Sequence, residues 1–185
     1  MNDENARQIY AICSYLLSYP TSDFINTLNE ALEWTESLPV SSSKEKLEQF
    51  FSEIKILKKS ELIATYTNTF DFGKKTNLYI TYMSNGEQRE RGMDLLFLKN
   101  YYKLHGFAVT DKELPDYLPI ILEFASQVDY ETIEPVFSRY LRNIEEISNQ
   151  LKKENNVYRH IFHAILLAIN ETREAANEKG VKEFV

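Results

Sequence analysis

Three histidines, one cysteine, a glycine-flanked run of charges and an acidic proline-rich segment are the residues whose types and spacing could support chemistry. His160 and His163 stand three apart, a spacing that places two imidazoles on one helix face, as metal ligands require. A metal site in a helical bundle also needs carboxylates at matched spacing, and no Glu-x-x-His occurs, so no metal centre is expected. His105 beside Gly106 reads as a cation near a helix C-terminus. The lone Cys13 excludes an internal disulfide and any zinc site built on several thiolates. It shares an apolar face with Ile9, Ile12 and Leu16, where a free thiol packs as a small hydrophobe. The run Gly86-Glu87-Gln88-Arg89-Glu90-Arg91-Gly92 lacks both the glycine spacing and the following Lys-Ser or Lys-Thr of a P-loop, and it contains two glutamates, so nucleotide binding is not expected. Glu87 early in a helix complements its dipole, and Arg89 and Arg91 exchange ion pairs with nearby acids. Gly92 inside that helix costs about 1 kcal/mol relative to alanine, which predicts a close neighbour to its backbone.

The densest segment is Glu113-Leu114-Pro115-Asp116-Tyr117-Leu118-Pro119, followed by the apolar Ile120-Ile121-Leu122-Glu123-Phe124. A helix must open here, because Pro119 fits only a first turn whose N–H would be unpaired anyway, and Asp116 is placed to cap it. The bland reading leaves Glu113 and Glu123 solvated. The functional reading makes these carboxylates the rim of a groove that receives a basic, amphipathic peptide, its apolar face held by the groove and its register chosen by the rim. Tyr66, Phe70, Tyr79, Tyr82 and Tyr117 surround the one irregular part of the chain and would supply contact area at small entropy cost.

Helices must position these residues. Ile9, Ile12, Cys13, Leu16 and Leu17 repeat at helical spacing until Tyr19-Pro20 stops them, and Phe24, Leu28, Ala31, Leu32 and Leu38 resume the period up to Pro39. Ser42 with Glu45 reads as a capping box for a helix carrying Leu47, Phe50, Phe51, Ile54 and Leu57, and a fourth follows Ser60 with Leu62, Ile63, Tyr66 and Phe70. From Glu87 a long helix with a broad apolar face (Met93, Leu95, Leu96, Phe97, Leu98, Tyr101, Tyr102, Leu104) runs to a cap at Gly106, which predicts a central element touched on several sides. Asp129 caps the helix with the cleanest stripe, Ile133 to Leu151. Tyr158, Ile161, Phe162, Ile165, Leu166 and Ile169 build the last, and the tail from Lys179 is expected to fray. Leu78-Tyr79-Ile80-Thr81-Tyr82 has strand propensity but no visible partner, so it reads as a buried helical turn or an extended connector. The sum is an all-α, single-domain bundle of seven to nine helices.

Composition agrees. At 185 residues one core burying roughly 70 % of the unfolded surface is expected, and 43 % hydrophobic residues with five glycines and five prolines describe a packed, turn-poor chain. The net charge of −7, with no basic patch, excludes nucleic acid and anionic lipid as partners. A polar, acidic amino terminus and the shortness of the longest apolar run, Ala164 to Ile169, predict a cytoplasmic chain with neither signal peptide nor membrane span.

The run Leu78 to Tyr82, then Gly86 to Gly92, then Glu113 to Pro119 with Leu122-Glu123-Phe124, resembles the NarJ family, the assembly chaperones or delta subunits of respiratory nitrate reductase. The opening Tyr15-Leu16-Leu17-Ser18-Tyr19-Pro20 extends the likeness, and Tyr117 stands where the wider group of molybdoenzyme maturation chaperones tends to have histidine, which points to the nitrate reductase branch. The resemblance implies an all-helical fold and a non-enzymatic chaperone without a cofactor of its own. Such a protein would bind the amino-terminal segment of the apo catalytic subunit while molybdenum cofactor is inserted, with homodimerisation left open. The candidate peptide-binding set is Tyr66, Phe70, Asp71, Tyr79, Tyr82, Glu87, Arg89, Arg91, Glu113, Asp116, Tyr117 and Glu123. The alternative is a helical-bundle enzyme or carrier that binds a nucleotide or molybdopterin in the same cleft, for which Arg89, Arg91, Lys74 and Lys75 are the local cations.

Overall fold

A computed structural model describes residues 1–82, 88–108 and 112–182, with the side chains of Ser22, Ile25, Gln88, Arg89 and residues 179–182 left out. In chain order its helices are α1 (Asp3–Leu16), α2 (Ser22–Asn26), α3 (Leu28–Ser37), α4 (Ser42–Ile54), α5 (Lys59–Tyr66), α6 (Gln88–Leu104), α7 (Leu118–Gln127), α8 (Tyr130–Lys153) and α9 (Arg159–Lys182). A π-helical turn, Thr67–Asp71, prolongs α5. The fold is all-α: no strand or sheet forms among the described residues.

The apolar stripes decide the packing. Ile9, Ile12, Cys13 and Leu16 are buried along α1, which lies against α7 and α9, and α9 also carries α4 and α8. Burying each of these side chains contributes about 1.5–3 kcal/mol, and the stripes place them on facing surfaces. Asn2 caps α1 by accepting the Asn5 N–H at 2.8 Å, and Asp129 caps α8 by accepting the Thr132 N–H at 2.9 Å. Gly106, at φ +83°, ends α6: its N–H reaches Lys103 O and the Phe107 N–H reaches Tyr102 O, a paired closure that needs a left-handed residue.

Several expectations are corrected. Ser41, not Ser42, caps α4, accepting the Lys44 N–H at 3.2 Å, and α5 begins at Lys59, where Glu61 accepts the Lys58 N–H at 2.6 Å, so Ser60 lies inside the helix. Among the described residues nothing lies within 4 Å of where a Cβ on Gly92 would stand, so no described neighbour approaches its backbone. Helix α6 is not central. Leu98 and Tyr102 are buried, but Met93, Leu96 and Leu104 are 64 %, 59 % and 78 % exposed, because the helix packs on the bundle by one face only. Helix α9 runs on to Lys182, as its glutamates, alanines and lysines favour helix; the side chains of the tail expected to fray lie outside those described.

Candidate functional site

Leu78 and Tyr79 pair with the residues that open α7, and residues 80–82 close a turn in which the Tyr82 N–H donates to Tyr79 O at 3.0 Å. The Ile80 N–H donates to Asp116 O at 3.0 Å and the Leu118 N–H to Leu78 O at 2.8 Å, forming an isolated antiparallel bridge between Tyr79 and Tyr117. Backbone groups that looked unpaired in the sequence are thereby satisfied, and the segment combines a bridged residue with a hydrogen-bonded turn, so neither a helical turn nor an extended connector alone describes it. Asn77 opens the segment by accepting the Tyr79 N–H at 2.8 Å, and the Asn143 side chain from α8 donates to Ile80 O at 2.5 Å.

The bridge sets the Tyr79 and Tyr117 rings 5.2 Å apart along one wall of a cleft of about 360 Å³. The cleft is lined by Tyr19, Tyr66, Phe70, Asp71, Asn77, Leu78, Tyr79, Glu113 and Tyr117. Opposite, the π-helical turn presents Phe70 and Asp71. The wider turn is held by the Thr76 hydroxyl, which donates to Thr69 O, and by the Asn156 side chain, which donates to Thr69 Oγ1 at 2.7 Å. Tyr66 donates to Leu17 O at 2.9 Å, its hydroxyl lies 3.2 Å from that of Tyr117, and Tyr19 packs edge-on against its ring. Tyr79 donates to Glu113 Oε2 at 2.6 Å.

Burial, and secondarily Tyr117, pushes the Tyr66 phenol far above its usual range; burial, then Glu113, does the same at Tyr79. Burial also raises Tyr117. The cleft therefore offers neutral phenols that both donate and accept hydrogen bonds, aromatic faces, and exposed carboxylates at Asp71 and Glu113. Apolar and cationic side chains both fit such a surface.

The structure thus brings together Tyr66, Phe70, Asp71, Tyr79, Glu113 and Tyr117 from the expected set, and adds Tyr19, Asn77 and Leu78. The remaining described residues lie elsewhere. Glu123 lines a second groove with Phe107, Lys112, Ile120 and Phe124, which Glu113 also borders. Tyr82 is 58 % exposed, with the Arg91 guanidinium 5.3 Å from its ring centre. Glu87 lies outside the described residues, as does the side chain of Arg89.

Asp116 requires a correction. The first residue before α7 is Tyr117, with no side-chain cap bond, and Asp116 is fully buried, accepting the Thr81 hydroxyl at 2.6 Å with Arg91 Nη2 3.6 Å away. It neither caps α7 nor edges the cleft, because the bridge turns its side chain inward. Pro119 occupies the first turn as expected.

Other candidate chemistry is dispersed. His160 pairs with Glu53 at 2.9 Å beside Arg159, Cys13 is buried in the core, and the His105 ring lies 4.7 Å from that of Tyr101. No three His, Cys, Asp or Glu side chains among the described residues could hold a metal ion. Lys74 and Lys75 do not line the cleft, and Arg91 is turned to Asp116, so no described cation converges there for a phosphate. No described helix is long and apolar enough to cross a membrane.

Fold and cleft define a class: an all-helical scaffold that carries an aromatic, acid-rimmed cleft. Residues 35–164 match the family model described as nitrate reductase delta subunit, and the chain belongs to that family. It is similar, at 41 % identity over 185 residues, to a probable nitrate reductase molybdenum cofactor assembly chaperone NarJ of Bacillus subtilis, covering 100 % of this chain and 97 % of that one. It is 26 % identical over 162 residues to the NarJ chaperone of Escherichia coli K12, covering 86 % and 68 %. A nitrate reductase-like protein NarX of Mycobacterium tuberculosis matches 85 % of this chain at 30 % identity, with only 24 % of its own length involved.

Proposed function

We propose that this chain is a cytoplasmic, non-enzymatic assembly chaperone of respiratory nitrate reductase. It binds the apo catalytic subunit, takes a basic amphipathic segment at that subunit's amino terminus into the Tyr66–Tyr117 cleft, and keeps the subunit open until molybdenum cofactor is inserted. The observation that carries this reading is the convergence of Tyr66, Phe70, Tyr79 and Tyr117 with Asp71 and Glu113 on one cleft, in a chain whose relatives bear chaperone names. The aromatic walls hold the segment's apolar face, while the two carboxylates meet its cations and orient it during approach.

The test is made in a host lacking the chaperone but expressing the reductase subunits. Supplying this chain should restore the molybdenum content of the purified catalytic subunit, and the Asp71→Lys/Glu113→Lys variant should restore it poorly. Full cofactor loading without the chain, or equal restoration by the reversed rim, would contradict the proposal.

A further inference from the structure

Asp116 is the only charged side chain fully buried among the described residues, and the cleft as drawn makes no use of it. Carboxylates are almost never fully buried unless paired, and leaving one unpaired is strongly unfavourable. Here the side-chain partners, Thr81 and Arg91, both meet one oxygen, Oδ2. Asp116 Oδ2 accepts the Thr81 hydroxyl at 2.6 Å and lies 3.4 Å from the Thr81 N–H, and its backbone carbonyl accepts the Ile80 N–H at 3.0 Å. One residue thus grips positions 80 and 81 by main chain and side chain together. Arg91 of α6, 3.6 Å from the same oxygen, spans from the buried carboxylate to the face of Tyr82. On the other side, the Tyr102 hydroxyl holds Pro115 O at 3.0 Å, so the gripping residue is itself fixed.

We infer that Asp116 is a positioning residue of the cleft: it never touches the ligand, but pins Thr81 so that Tyr79 is held beside Tyr117 with its hydroxyl on Glu113, and it ties the first turns of α6 to the cleft wall through Arg91. The binding consequence rests on the function proposed above; the mechanical one does not. Without the pin, the segment would keep the two bridge bonds and the Asn143 contact to Ile80 O but lose its grip on Thr81, so the wall carrying Tyr79 would sample other positions and have to be ordered by the ligand, which lowers affinity.

Two readouts test this: amide hydrogen exchange at Ile80 and Leu118, whose N–H groups form the bridge, and affinity for a synthetic peptide of the catalytic subunit's amino-terminal segment. Thr81→Val removes the hydroxyl while keeping shape and leaves Asp116 intact. It should speed exchange at both amides roughly tenfold or more, with α8 and α9 amides unchanged, and weaken peptide binding. Thr81→Ser restores the hydroxyl and should restore both readouts. Asp116→Asn, which keeps the shape should the valine variant fail to fold, should also speed exchange at the two amides, and adding Thr81→Val to it should lower affinity no further, because both act through one contact. If Asp116→Asn weakens binding while Thr81→Val leaves exchange and affinity unaltered, Asp116 meets the ligand directly and the inference falls. If the unaltered protein binds no peptide, the cleft proposal fails, and bridge exchange alone decides this one: faster in Thr81→Val supports it, unchanged overturns it.

Discussion

Reversing the charge of Glu113 separates recognition from folding. Its carboxylate is exposed and has one described partner, the Tyr79 hydroxyl at 2.6 Å. An exposed hydrogen bond to a charged group contributes about 1 kcal/mol or less to the fold, and in a chain of this length about 1 kcal/mol corresponds to a melting shift of roughly 2–4 °C. Binding should respond differently. A rim ion pair contributes about 0.2–1 kcal/mol, so Glu113→Gln should weaken peptide affinity by up to about fivefold. Glu113→Lys replaces attraction by repulsion and should roughly double that free energy, up to about thirtyfold. Titration calorimetry with the basic peptide and thermal melting are run on the same samples. Glu145→Lys, on the exposed face of α8, changes net charge identically and serves as control. Added salt should shrink the difference between the variants. Equal loss of affinity in both lysine variants would show that only overall charge matters and would refute the placement of the site.

Three further outcomes follow from the packing. Tyr66→Phe removes the hydroxyl that bonds Leu17 O and faces Tyr117, and chemical denaturation should show about 1–2 kcal/mol lost. Gly92→Ala, where no atom of the described residues lies within 4 Å of the added methyl, should raise the melting temperature through about 0.5–1 kcal/mol of helix propensity, whereas Gly106→Ala at φ +83° should lower it by a comparable free energy. Acid titration should show two steps. At Glu53, burial raises the carboxyl's pKa, but hydrogen bonds from His160 and Arg159 outweigh it and hold it below the usual range, so its stabilisation is present above the unfolded value and lost as pH falls through the folded one. Burial, then Lys46, Lys152 and His160, lowers His163, so stability also falls as pH drops below the ordinary histidine value of 6.5. Melting scans from pH 8 to 3 on Glu53→Gln and His163→Gln should each lose one step.

The bundle was legible because its signals are local. The stripe Ile133 to Leu151 and the cap at Asp129 specify α8 within a single window, and the positive-φ glycine at 106 marks the end of α6. The cleft was legible in part, since aromatic and acidic residues near one irregular segment are an unusual cluster. What escaped is non-local. The hydrogen bond from Thr81 to Asp116 joins residues 35 apart, and nothing in either neighbourhood announces it, so an aspartate just before a helix reads equally well as a cap. Tyr19 read only as a helix stop, because its neighbour across the cleft, Tyr66, is 47 positions away along the chain. For α6, apolar periodicity reports which side chains avoid water but not whether a partner covers them, and Met93, Leu96 and Leu104 remain open.

The most direct measurement is photo-crosslinking of the catalytic subunit's amino-terminal peptide, carrying a photoreactive residue beside its basic cluster, followed by mass spectrometric mapping of the attachment sites. The account predicts adducts at Tyr19, Asp71, Tyr79, Glu113 and Tyr117, abolished by excess unlabelled peptide. Saturable adducts confined to the exposed α6 face at Met93 and Leu96, with none in the cleft, would contradict it.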